Sequence, residues 1–154
     1  MSIDEITDYL EGLGGVLTLE PRPGDGSPEI SWGDRFFYYA PDGVVPKTQP
    51  FATIVTKDYP GDDLSRLDRP GAFRLNVAAG SDAFARWAGR DPHEAIGDDA
   101  IVAHPVYGAL GWLAVVNPGT RTATPVRELL QQAHAAARAR RERRAGVEHQ
   151  DGEQ

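Results

Sequence analysis

Arg74 and Asn76 stand two residues apart in the run Gly71 to Ala78, where Phe73, Leu75 and Val77 take the alternate positions. In a strand this spacing sends the two polar side chains to one face and the three apolar ones to the other. A guanidinium leaving a sheet face must find water, a carboxylate or the anionic group of a ligand. Two readings therefore stand side by side: Arg74 is a charge clamp with Asn76 as its hydrogen-bonding neighbour, or it pairs with Asp58 or Asp68 beneath a helix. His104 and Tyr107 form a second pair, separated by Pro105 and Val106. His104 is a candidate general acid or base, and Asp58 is the other; each needs a substrate proton within hydrogen-bond reach. Tyr107 offers a further hydroxyl, Trp32 and Trp112 offer apolar walls, and Arg69 offers a second cation.

The stretch Thr56 to Asn76 holds four carboxylates close together, because Asp58, Asp62, Asp63 and Asp68 crowd its loop. Carboxylates at such density can hold a hard cation, but the spacing lacks the alternate acids, central glycine and final glutamate of a calcium loop. Asp68 beside Arg66 and Arg69 reads instead as a local ion-pair and turn network, and no metal site is assigned. His93, His134 and His149 lie in separate segments, with no second histidine at ligand spacing from His104. The chain has no cysteine, which removes thiolate nucleophiles, zinc ribbons and disulfides. Neither a Walker loop nor a GXGXXG turn is present, and no serine sits in a GXSXG frame. No cofactor is implied, and no motif decides for or against catalysis.

With 154 residues, 40% of them hydrophobic and 25% charged, the chain fits one ordinary globular domain. Its formal charge of −7 opposes attraction to phosphate backbones, which disfavours nucleic acid as a partner. No apolar run reaches the roughly 18 residues of a membrane span, and the acidic start MSIDEITDYLEGL is unlike a signal peptide, so the expected location is the cytoplasm. Arg supplies 14 of the 16 basic residues.

The elements that must position the candidate residues follow from pattern. Ser2 and Glu5 form a capping box ahead of Ile3, Ile6, Leu10 and Leu13 at helical spacing, and Gly14-Gly15 stops that helix. Strands are expected at Val16 to Leu19, at Phe51 to Lys57, at Gly71 to Ala78 and at Trp112 to Val116, the last reached through Ile101, Val102 and the segment HPVYGALGW. Ile30 to Trp32 and Arg35 to Ala40 read as a hairpin across Gly33-Asp34. Ser81 is expected to cap a short helix ending at Gly89, and Arg90 to Ala100 reads as loop. Pro125 opens the last helix, whose stripe Val126, Leu129, Leu130, Ala133 and Ala137 docks on the core. The expected division is 1–137 as one α+β domain and 138–154 as a basic helix extension, rich in arginine, with a polar disordered tail.

The segments FATIVTKDYPGDDLSRLDRPGAFRLN and HPVYGALGWLAVVNP, followed by a closing helix, resemble an uncharacterised actinobacterial family of unknown function. More distantly the element order resembles the MmcQ/YjbR family, which implies a compact α+β domain with an antiparallel sheet. In that family a segment bearing tyrosine and histidine precedes a tryptophan-bearing strand, as His104 and Tyr107 precede Trp112. The basic residues found there before the tryptophan are Ala109, Leu110 and Gly111 in this chain, against a DNA-binding role. The reading is thus a single α+β domain, with an antiparallel sheet of about five or six strands packed by the N- and C-terminal helices. The expected function is binding of a small anionic or aromatic molecule beside the sheet, by Arg74, Asn76, Tyr107, Trp112, Trp32 and Arg69. The alternatives are an enzyme of small-molecule metabolism using His104 or Asp58, and a nucleic-acid-binding or protein-interaction module. The oligomeric state is left open.

Overall fold

A computed structural model describes residues 1–89 and 96–152; the stretch with His93 lies outside them. The chain runs α1 (Ile3–Gly12), β1 (Val16–Leu19), β2 (Arg35–Tyr39), β3 (Ala52–Val55), β4 (Arg74–Ala78), α2 (Gly80–Trp87), β5 (Ile101–Ala103), β6 (Trp112–Val116) and α3 (Ala123–Gly152). Its six strands form one antiparallel sheet in the order β1-β2-β3-β4-β6-β5. This is a single small α+β domain with the N- and C-terminal helices packed on the sheet.

Both reciprocal bonds of the capping box form at the start of α1, Ser2 Oγ accepting from Glu5 N–H at 3.1 Å and Glu5 Oε1 from Ser2 N–H at 3.3 Å. Such a cap contributes about 1 kcal/mol. The helix buries Ile6 and Leu10, and α3 buries Val126, Leu129, Leu130 and Ala133, in a cluster with Phe37, Ile54, Leu75, Val77, Leu113 and Val115. A second, smaller cluster occupies the other face, where Val55, Val102, Ala114 and Val116 meet Leu67, Ala72 and Ile96. On this second face the Thr56 to Phe73 loop lies as a lid, and beneath it Arg74 and Asn76 emerge from β4.

Three local expectations are corrected. Ile30 to Trp32 does not pair with β2: Glu29–Ser31 is a single 3-10 turn, and the neighbours of β2 are β1 and β3. The reason lies in Asp34, whose buried carboxylate is committed to the following loop and not to a hairpin. Ser81 is not a cap, since α2 starts at Gly80 with Ala79 before it and no side-chain cap bond. The last helix begins at Ala123, two residues ahead of Pro125. Its approach is fixed by Asp99, which accepts from the N–H groups of Gly119, Arg121 and Thr122 and from the Thr122 hydroxyl. The Thr122 hydroxyl first, then the backbone donors, hold the Asp99 carboxyl down to about 2 against its partial burial.

Candidate functional site

Arg74 is 2% exposed, and its donors are all directed at the protein. Nε donates to Asn76 Oδ1 at 2.8 Å. Nη1 donates to Asp62 Oδ1 and Ser65 Oγ, both at 2.8 Å, and Nη2 donates to Asp62 Oδ2 at 2.7 Å. The carboxylate partner is Asp62, where sequence had offered Asp58 or Asp68. Asn76 passes the chain on by donating from Nδ2 to Thr53 Oγ1 at 3.0 Å, so β3, β4 and the central loop are joined by one polar network. Burial would raise the Asp62 carboxyl, but the hydrogen bonds and charge of Arg74 outweigh it and hold the carboxyl below its usual value.

His104 reaches the same cluster because β6 is inserted between β4 and β5, with Ala114 directly between Asn76 and Val102. His104 Nδ1 accepts from the backbone N–H groups of Val106 and Tyr107, each at 3.0 Å. Two converging donors assign the ring hydrogen to Nε2. Nε2 lies 3.2 Å from Arg74 Nη2, so a donor faces a donor there and the contact is no hydrogen bond. Burial first, then the Arg74 charge, pull the imidazole down to about 4, with Asp62 opposing. His104 is therefore neutral at pH 7, and its Nε2 is not available as a base. Tyr107 is half exposed with its ring tilted over His104, centroids 5.0 Å apart.

The other sequence candidates lie elsewhere. Asp58 accepts from Leu67 N–H at 2.9 Å and is raised by burial first and then by its hydrogen bond with Asp68; among the described residues its partners are these and not His104. Arg69 donates to Asp98 at 3.1 Å and to the Arg66 carbonyl at 2.8 Å. Trp32 belongs to the network around Asp34, its carbonyl accepting from Lys57 Nζ at 2.8 Å. Thus Arg74, Asn76, His104 and Tyr107 come together, and the backbone of Trp112 meets them, its carbonyl accepting from His104 N–H at 2.9 Å, while Asp58, Arg69 and Trp32 are bonded to other partners.

Trp112 instead lines a groove of about 430 Å³ at the end of the sheet where β2 leaves and β6 begins. Tyr39, Phe51 and Trp112 line it from the sheet, Thr48 and Gln49 from the link between β2 and β3, and Arg140, Arg141 and Arg144 from α3. Arg141 Nη2 is tied to Asp42 at 3.2 Å. Among the described residues, Arg140 and Arg144 have no carboxylate partner. Sequence showed the arginine run and Trp112 separately. The missing signal was the path of the 41–51 link, which returns alongside α3 through prolines and a turn and carries no periodicity.

A family of unknown function (DUF6194) matches residues 1–146, and the chain belongs to it. No curated protein and no solved structure matches the chain. No helix among the described residues is long and apolar enough to cross a membrane.

Proposed function

We propose that this protein binds a small anionic molecule with an aromatic ring, and that it does so in the groove between α3 and the β2–β3 link. One observation carries this reading: three arginines line a single groove of about 430 Å³ together with the partly exposed Tyr39 and Trp112, above the buried Phe51. That is within the usual size range for a small-ligand site, roughly 300–1,000 Å³. Tyr39 and Trp112 offer ring surface for stacking, while the arginines concentrate positive charge in a chain of net −7.

The Arg74 cluster supports the frame of the site and not its chemistry. Its guanidinium is spent on Asp62, Ser65 and Asn76, which leaves nothing to clamp a ligand without breaking the loop from the sheet. Acid–base catalysis by His104 or Asp58 has less in its favour, since the two are apart and His104 turns its lone pair to the backbone. The likeness to the MmcQ/YjbR family bears on the frame and carries no ligand.

The test is a calorimetric titration with 2-naphthyl phosphate and 2-naphthoate, in the parent and in Arg140→Ala/Arg144→Ala. The parent should bind at least one of the two, and the double variant should lose tenfold or more in affinity while melting within a few degrees of the parent, because both side chains are exposed. Absence of binding to either compound by the parent would sink the reading.

A further inference from the structure

We infer that the anionic group taken by this groove is a phosphate monoester and not a carboxylate, an inference that rests on the reading of the groove as an anion and ring site. The argument is one of charge count and geometry. Three guanidiniums line the groove, and the one carboxylate recorded against them is Asp42, which engages Arg141. Arg138, just outside, is satisfied along the helix by Glu142 at 2.8 Å. Of the three arginines that line the groove, Arg140 and Arg144 are thus the two with charge to spare among the described residues, and they stand four apart on one helix. Like charges at that spacing repel and cost the helix stability until an anion lies between them.

A monoanionic carboxylate is planar and matches the fork of one guanidinium, so it neutralises one arginine and leaves the other. A phosphate monoester is doubly charged above its second ionisation near pH 6 and offers three terminal oxygens in three directions. It can therefore accept from guanidiniums one helical turn apart at the same time. Arg141, held by Asp42 at its fixed distance, borders the same space and adds a third positive edge without needing to move. The aromatic wall then takes the organic part of the ester, so inorganic phosphate alone should compete only weakly. A nucleic-acid strand carries the same oxygens but with one charge per phosphodiester, and it would bring further negative charge against a chain of net −7.

The experiment compares 2-naphthyl phosphate with 2-naphthoate, which share a ring and differ in the anion, at pH 7.5 and pH 5.5. A third arm uses a ten-nucleotide thymidine oligonucleotide at two salt concentrations. The phosphate should bind at least tenfold tighter than the carboxylate at pH 7.5, and the advantage should shrink severalfold at pH 5.5, where the ester loses one charge. Arg140→Gln and Arg144→Gln should each remove most of the difference. Equal affinity for the two compounds would overturn the phosphate assignment and leave the anion-and-ring reading standing. Binding of neither would overturn both. Tighter binding of the oligonucleotide than of the ester, with steep salt dependence, would also overturn the assignment, in favour of a nucleic-acid strand.

Discussion

Arg74 and Asp62 meet through two parallel hydrogen bonds, 2.8 Å from Nη1 and 2.7 Å from Nη2, with the guanidinium buried and the carboxylate nearly so. The pair fastens the central loop to β4 across the face of the sheet opposite α1 and α3. A buried pair contributes little over an apolar replacement, but losing one partner leaves an uncompensated charge and costs about 3–5 kcal/mol. Asp62→Leu should therefore be severely destabilised in urea, and Arg74→Met/Asp62→Leu should be more stable than Asp62→Leu alone. Strict additivity of the two single changes would show that the contact is not energetically coupled.

Acid should loosen the same region through His104. The ring titrates near 6.5 in the unfolded chain and about 4 in the fold. The folded state thus prefers the neutral ring, so its contribution is fully present above about pH 6.5 and is lost as pH falls through about 4. The loss is on the order of 2–3 kcal/mol. Urea midpoints at pH 7.5 and pH 4.5 should differ more in the parent than in His104→Leu, even though the variant is weaker at pH 7.5 for want of an acceptor for Val106 and Tyr107. Parallel shifts in the two proteins would remove His104 from the explanation.

The framework of this fold was legible where periodicity was strong. Ile6 and Leu10 on α1, the stripe from Val126 to Ala133 on α3, and the alternation Phe73, Leu75, Val77 against Arg74 and Asn76 all pointed to the faces they occupy. The polar network was legible only by half. That Arg74 would seek a carboxylate follows from its place on a sheet, but the choice of Asp62 over Asp58 or Asp68 depends on how the loop bends, and three acids in one loop look alike in sequence. His104 meets Arg74 only because β6 lies between β4 and β5, a non-sequential order that no local pattern records. The hairpin read at Gly33-Asp34 failed because Asp34 serves a distant partner, and the groove was missed because the 41–51 link has no periodicity to betray that it runs beside α3.

Asp34 is that distant partner's anchor. Its carboxylate is fully buried; Oδ1 accepts from Thr56 N–H at 2.8 Å, the Thr56 hydroxyl at 2.9 Å and Lys57 Nζ at 3.0 Å, and Oδ2 accepts from the Tyr59 hydroxyl. Burial first, and then Asp34 itself, push the Tyr59 phenol well above its ordinary value. Asp34→Ala would strand a backbone N–H, two hydroxyls and an ammonium, at a cost of about 3–5 kcal/mol. Asp34→Asn keeps an acceptor for Thr56 and should cost less. A melting temperature for Asp34→Ala within two degrees of the parent would contradict this account of the loop.

Gly15 links the scaffold to the groove. It sits at φ +68°, and a Cβ built there would lie 2.7 Å from Cε2 of Tyr39. The ring packs edge-on against His134 with centroids 5.4 Å apart and lines the groove, so the contact is relieved only by disturbing the His134 packing or by moving the ring into the groove. Gly15→Ala should then act twice. The left-handed backbone costs about 1 kcal/mol in any background, a loss of roughly 2–4 °C in a chain of this size. The displaced ring adds a further loss and weakens binding of 2-naphthyl phosphate severalfold. Removing the ring separates the two effects: in a Tyr39→Ser background, Gly15→Ala should cost only the backbone part and leave the residual affinity unchanged. An equal cost in both backgrounds would mean that Gly15 is required for its φ alone and that Tyr39 is positioned by other contacts.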